Sequence, residues 1–205
     1  MTIGLLAALA ALALAPLLMP DSYSVVGHSV SESAAQGVDG AWLARLGFLL
    51  FGLAVLSLAF NPGSTWGRWG RRAHAGFGVS MIAAAVFSHG PWDGSAFDEL
   101  EDLLHSAASF GVGLFFTVGV VLVAVRRVDA PGWSRFVDGV ALAAALVIPL
   151  LMANIEASGL VQRIMFLVAF LWYGLETVRT PITTATRGRY CLLTLCNAVA
   201  LTKQH

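Results

Sequence analysis

Six apolar runs follow one another along the chain, each bounded by proline, glycine, arginine or acidic residues. The first, residues 3–19, has 17 residues and ends in Pro16, Pro20 and Asp21. That is near the lower limit of about 17–20 apolar residues for a bilayer span. It lacks the basic flank of a signal peptide and is read as the first helix. The second, 41–60, starts with Trp42 and stops at the turn Asn61-Pro62-Gly63. The third, 75–87, is short and has to borrow Ser88 and His89 before Pro91 breaks it. The others are 103–125, closed by Arg126 and Arg127; 136–153, after the turn 129–133; and 160–178, ending before Pro181. This pattern predicts an all-α, polytopic transmembrane bundle of six helices over residues 1–180. The tail, 181–205, has an apolar patch at 191–201 that is too short to span, and is expected to lie on the membrane surface or be disordered.

Composition agrees. The chain of 205 residues is 58% hydrophobic and 12% charged, against about 25% charged in an ordinary soluble domain, and its mean hydropathy is +0.78. A net charge of zero gives no basic surface for nucleic acid. With six spans, ten basic residues (Arg68, Arg71, Arg72, Arg126, Arg127, Arg135, Arg179, Arg187, Arg189 and Lys203) fall on one face and only Arg45 and Arg163 on the other. The positive-inside rule then predicts that both termini are cytoplasmic. Residues 66–74 read as a basic loop among the lipid headgroups, with His74, like His205, solvated on the inner face.

The polar chemistry gathers on the outer face. The stretch 87–110 holds two of the five histidines and five of the twelve acidic residues. Asp98, Asp102 and His105 stand at i, i+4, i+7, with Glu101 between them, on one face of the opening turns of a helix. Asp102-x-x-His105 has the carboxylate–imidazole spacing of di-metal helix bundles. With His28 and Glu32 from the preceding loop and His89 from the third span, these residues supply enough ligands for zinc, manganese or iron. The expected metal ligands are His28, His89, Asp98 and His105, with Glu32, Asp102 and His105 as the reactive groups. Arg45 and Arg163, with Glu156, are the candidates for holding an anionic or lipid-like molecule.

A purely structural reading competes with this one. Ser95 followed by Asp98 resembles a capping box, and acidic first turns suit the positive end of a helix dipole. Arg45 and Arg163 would then pair with Glu32 and Glu156, or extend to the interface. Haem is poorly supported, because only His89 and His105 approach the needed depth and both come from one side. Retinal is excluded, since the one lysine, Lys203, lies in the tail. No G-x-S-x-G, P-loop or H-E-x-x-H motif occurs.

Tyr23-Ser24, His28-Ser29-x-Ser31-Glu32, Ala41-Trp42-x-x-Arg45-x-Gly47-Phe48, Phe87 to Pro91 leading to Leu104-His105-Ser106, and Gly159-Leu160-Val161-Gln162-Arg163 resemble a family of six-pass prokaryotic membrane proteins, the domain of unknown function nine-nine-eight. The resemblance runs from Met1 to about Arg179 and implies a six-helix bundle in a prokaryotic inner membrane. It singles out Ser31, Glu32, Arg45, His105 and Arg163, without naming a reaction. Two functions remain open at this point. One is an outer pocket that binds or acts on a membrane lipid or lipid-like molecule, with or without a divalent metal. The other is a non-catalytic accessory subunit that docks on protein partners in a larger membrane complex.

Overall fold

Every regular element is helical among the residues that the computed structural model describes, 1–152 and 154–179. The predicted tail, 181–205, lies outside them. The elements are α1 (Thr2–Leu14), running on into a 3-10 turn (Ala15–Leu18); a second 3-10 turn (Glu32–Ala34); α2 (Ala41–Ala59); α3 (Gly67–Val86); α4 (Glu99–Arg126); α5 (Gly132–Met152); and α6 (Ser158–Arg179). The helices α2, α4, α5 and α6 are long and apolar enough to cross a bilayer, which makes this a membrane protein.

The tightening after Leu14 has a local cause. Pro16 has no N–H to give the Leu12 carbonyl, so the α-helical ladder cannot continue unbroken.

The third helix corrects the sequence reading. It does not gain length by taking in Ser88 and His89, because it ends at Val86; it starts eight residues earlier than residue 75, at Gly67. Residues 67–74 are therefore helix and not a basic loop. The reason is visible in the spacing: Trp66, Gly70, Ala73, His74, Phe77, Met81 and Ala84 are buried and follow a 3.6-residue stripe. Arg68 and Arg72 sit on the other face, over the ring of the exposed Trp69 at 5.2 and 4.8 Å. His74 is not solvated. It is fully buried.

Consecutive helices are neighbours, and α6 returns to α1, so the six close into a ring. The backbones of α2 and α3 come close together, and a Cβ on Gly52 would lie 2.6 Å from the Gly78 carbonyl. Only glycine permits that backbone contact. The seam between α4 and α5 is the least packed of the consecutive pairs. Aromatic rings fill the centre: Phe51 stacks on Phe170 at 4.0 Å and meets Phe77 at 5.3 Å and Tyr173 at 5.7 Å. Offset and edge contacts of this kind add to the burial of the rings themselves.

The bundle has two unlike ends. One, the loop end, carries segment 19–40, residues 87–98 and the start of α6. The other, the arginine end, carries Arg68, Arg71, Arg72, Arg126, Arg127, Arg135 and Arg179.

Candidate functional site

At the loop end, helix α4 opens on Asp98, whose carboxylate accepts from the backbone N–H groups of Leu100 and Glu101 at 2.9 and 3.1 Å. Asp98 is thus the N-cap itself, and Ser95 is not the start of a capping box; Ser95 instead donates to Asp93 through its hydroxyl and its N–H. Those two bonds hold the Asp93 carboxyl below its ordinary value, because they favour the charged form. Glu101 accepts from Ser88 N at 2.8 Å and Asp102 from Gly90 N at 2.6 Å. The acidic turn of α4 therefore grips the chain that leaves α3.

Three of the predicted residues come together there. The rings of His89 and His105 meet edge to face with centroids 5.5 Å apart, and His89 Nδ1 lies 3.8 Å from Asp102 Oδ1. His105 is buried; its Nδ1 is 2.8 Å from the Phe87 carbonyl, while its Nε2 has no partner among the described residues. An Nδ1 facing a carbonyl carries the hydrogen, so Nε2 presents a lone pair. Among the described residues, no three His, Cys, Asp or Glu side chains are arranged as ligands of one metal ion.

His28 joins a different group. Its Nδ1 accepts from Ser24 N at 2.9 Å, and its ring lies 5.4 Å from Tyr23 and 5.2 Å from Trp92. Glu32 turns back onto the N–H of Ser29. The two arginines do not pair with Glu32 and Glu156. Arg45 donates to the carbonyls of Ala34 and Ala35 at 3.0 and 2.9 Å. Arg163 donates to the carbonyls of Val25, His28 and Gly159 and to the Tyr23 hydroxyl. Both guanidinium groups hold the loop 21–40 in place, using a fork of donors that one ammonium cannot reproduce. Glu156 is exposed on the loop before α6.

Beneath the loop lies a cavity of about 460 Å³ between α2, α3, α4, α5 and α6. Its walls are apolar, with Phe48, Phe51, Phe77, Phe110, Phe116 and Phe166 prominent. Polar side chains are few: Ser31, Ser109 and Gln162 near the loop, and Thr117 deeper. Gln162 accepts from Val30 N through Oε1, which leaves its NH2 group as a donor at the rim. Pro149 lies on the α5 wall and has no N–H for the Ala145 carbonyl, one helical turn back on the same wall. His105 does not line the cavity but stands one helical turn above Ser109, on the same face of α4.

The arginine end holds a group that sequence reasoning passed over. Glu176, fully buried, accepts from Arg127, Arg179 and the Trp66 indole (2.7 Å). Asp138, also buried, accepts from the Trp172 indole at 2.8 Å and lies 3.7 Å from Arg127. His74 Nδ1 is 2.9 Å from the Tyr173 hydroxyl, and its ring packs on Trp66 at 4.3 Å. The signal was present: two carboxylates within apolar segments, and a 66–84 stripe that places His74 among the inward positions.

A family model described as a protein of unknown function, DUF998, matches residues 2–179. No curated protein and no solved structure matches the chain. The matched range takes in all six helices and every residue of the loop end discussed above, so the chain belongs to the DUF998 family.

Proposed function

We propose that the chain is a six-pass protein of a prokaryotic inner membrane, with both termini cytoplasmic, that binds a lipid-like molecule in the cavity beneath its loop end. The observation that carries the binding reading is the cavity: about 460 Å³, apolar, with Ser31, Ser109 and Gln162 gathered toward one rim. Sites for small molecules have this make-up. The six-pass count draws support from α1, whose 13 α-helical and four 3-10 residues together reach about 28 Å, close to the roughly 30 Å hydrocarbon core. In α3 the arginines occupy the first two turns, where long side chains reach the headgroups. The orientation rests on seven arginines at one end, against Arg45 and Arg163 at the other.

In this reading the reactive polar group is His89, Asp102 and His105, set one turn above the rim. It is also where a divalent metal, zinc, manganese or iron, would be sought, with the unpartnered Nε2 of His105 as its first ligand. Arg45 and Arg163 act by holding the loop over the cavity.

The test is retention of lipid by the purified full chain after exhaustive detergent exchange, measured by extraction and mass spectrometry. One lipid-like molecule per chain is expected. Gly113→Phe should remove it and leave the chain folded, because a Cβ at Gly113 meets no atom within 4 Å and this residue lines the cavity. A wild-type chain that retains nothing would turn the reading toward an accessory subunit. Metal analysis of the wild type and His105→Ala decides the metal question separately.

A further inference from the structure

The shape of the cavity says more than its volume. Along α4 its lining runs from Ser109 to Thr117, about 12 Å at 1.5 Å per residue, and along α6 it runs from Gln162 to Ala169, about 10 Å. A volume of about 460 Å³ spread over about 12 Å gives a mean cross-section near 40 Å². One extended hydrocarbon chain needs only about 25 Å², taking roughly 30 Å³ per carbon, the size of a water molecule, and about 1.2 Å of rise per bond. Such a chain would place about ten carbons in the cavity and leave about a third of it empty. Empty apolar volume is unfavourable because its lining loses dispersion contacts. The cavity is short and broad where an acyl chain is long and thin.

The lining points the same way. Six of the chain's twelve phenylalanines surround this one space, and aromatic rings gain most from another ring placed in stacked or edge-to-face contact. Three methionines, Met81, Met152 and Met165, complete the wall, and thioethers also favour ring edges. At the rim the protein offers donors: the hydroxyls of Ser31 and Ser109 and the NH2 of Gln162. Donors of this kind call for oxygen acceptors on the ligand. The seam between α4 and α5 is thinly packed, and Phe110, Leu114 and Leu146, which line the cavity from these two helices, are exposed. A tail has a way out to the bilayer on that side.

From these features we infer that the ligand is a quinone- or phenol-type lipid: a one- or two-ring head with oxygen acceptors at the rim and a hydrocarbon tail leaving between α4 and α5. At about 30 Å³ per non-hydrogen atom the cavity takes about 15 atoms. That suits a substituted six-membered ring or a fused pair. The inference deepens the lipid-binding reading and stands only where that reading does.

The experiment uses the full chain, stripped of lipid and held in an amphipol. Four probes are compared by equilibrium retention: decyl-benzoquinone, palmitic acid, a palmitoyl lysophospholipid and dipalmitoyl phosphatidylglycerol. Decyl-benzoquinone is expected to bind at least tenfold more tightly than any of the three acyl probes. Gly113→Phe is expected to weaken it at least tenfold, and Gln162→Leu, which keeps the size of the side chain but removes both the NH2 donor and the acceptor of Val30 N, about threefold to tenfold. Acyl probes that bind as well as the quinone overturn the ring assignment and leave the lipid-binding reading standing. Quinone binding that Gly113→Phe leaves unchanged places the quinone elsewhere and also overturns it. No retention of any probe overturns both.

Discussion

The two ends of the bundle satisfy their charges in opposite ways. At the loop end, Glu101, Asp102, Glu32, Arg45 and Arg163 bond to backbone N–H and carbonyl groups of the loops around them, and Asp98 to the first N–H groups of α4. At the arginine end, Arg127, Arg179, Glu176 and Asp138 bond chiefly to one another and to two indoles, with both carboxylates buried and the two guanidinium groups only partly exposed. The first arrangement uses charge to shape a chain that has no regular structure of its own. The second uses charge to tie helix ends together where backbone groups are already spent in helices. A charge partnered by neutral dipoles can be lost with a local effect, whereas a buried ion left without its counter-ion penalises the whole fold. The contrast also locates the cavity: it opens under the end whose lid is held by many separable bonds, and away from the end closed by ion pairs.

That contrast can be broken by removing one partner at each end. The largest effect is expected at Glu176→Leu, which takes the buried carboxylate away from the partly exposed Arg127 and Arg179 and leaves the buried Trp66 indole without its acceptor; the cost should be about 3 kcal/mol, the low end for breaking a buried pair. Thermal unfolding of wild type and variant in one detergent measures it. A melting temperature within a degree of the wild type would mean that the ion pairs do not tie α4 to α6. Gly159→Ala comes next. A Cβ there would run into the His28 carbonyl and lie 2.9 Å from that of Val25, where the loop is stapled to α6 by Leu160 N–H to Val26 O. A cost of about 1–3 kcal/mol is expected for forcing such a contact apart. It should appear as faster proteolysis within 21–40, with little change in the rest of the bundle.

The smallest effect sharpens the reading of the acidic turn. Asp98→Ala removes an N-cap and should cost about 1 kcal/mol, while Asp98→Asn, which caps as well, should cost almost nothing. Equal losses for the two would show that the charge at the helix start matters more than the cap. Chemical denaturation of the paired variants is sensitive enough to separate them.

Much of this architecture is legible in the order of residues alone. Runs of apolar residues have to be helical in a membrane, because no other local structure satisfies the backbone in lipid. All six runs are helices, and proline, glycine and the Asp98 cap mark most of their ends. The meeting of His89, Asp102 and His105 is also legible, since a short loop joins the two helices that carry them. The rest depended on which long-range partners the fold supplies. Nothing local says that Arg163 will reach back some 135 residues to Val25, Tyr23 and His28, or that Arg127 will find Glu176 and not water. The basic segment 67–74 looked like a headgroup loop because its arginines outweigh its small residues in any local average. Only packing of Trp66, Gly70 and His74 against α4 and α6 makes it helix with one buried face. The cavity is the clearest case. It is a space where five helices fail to meet, and a void has no residues of its own to read.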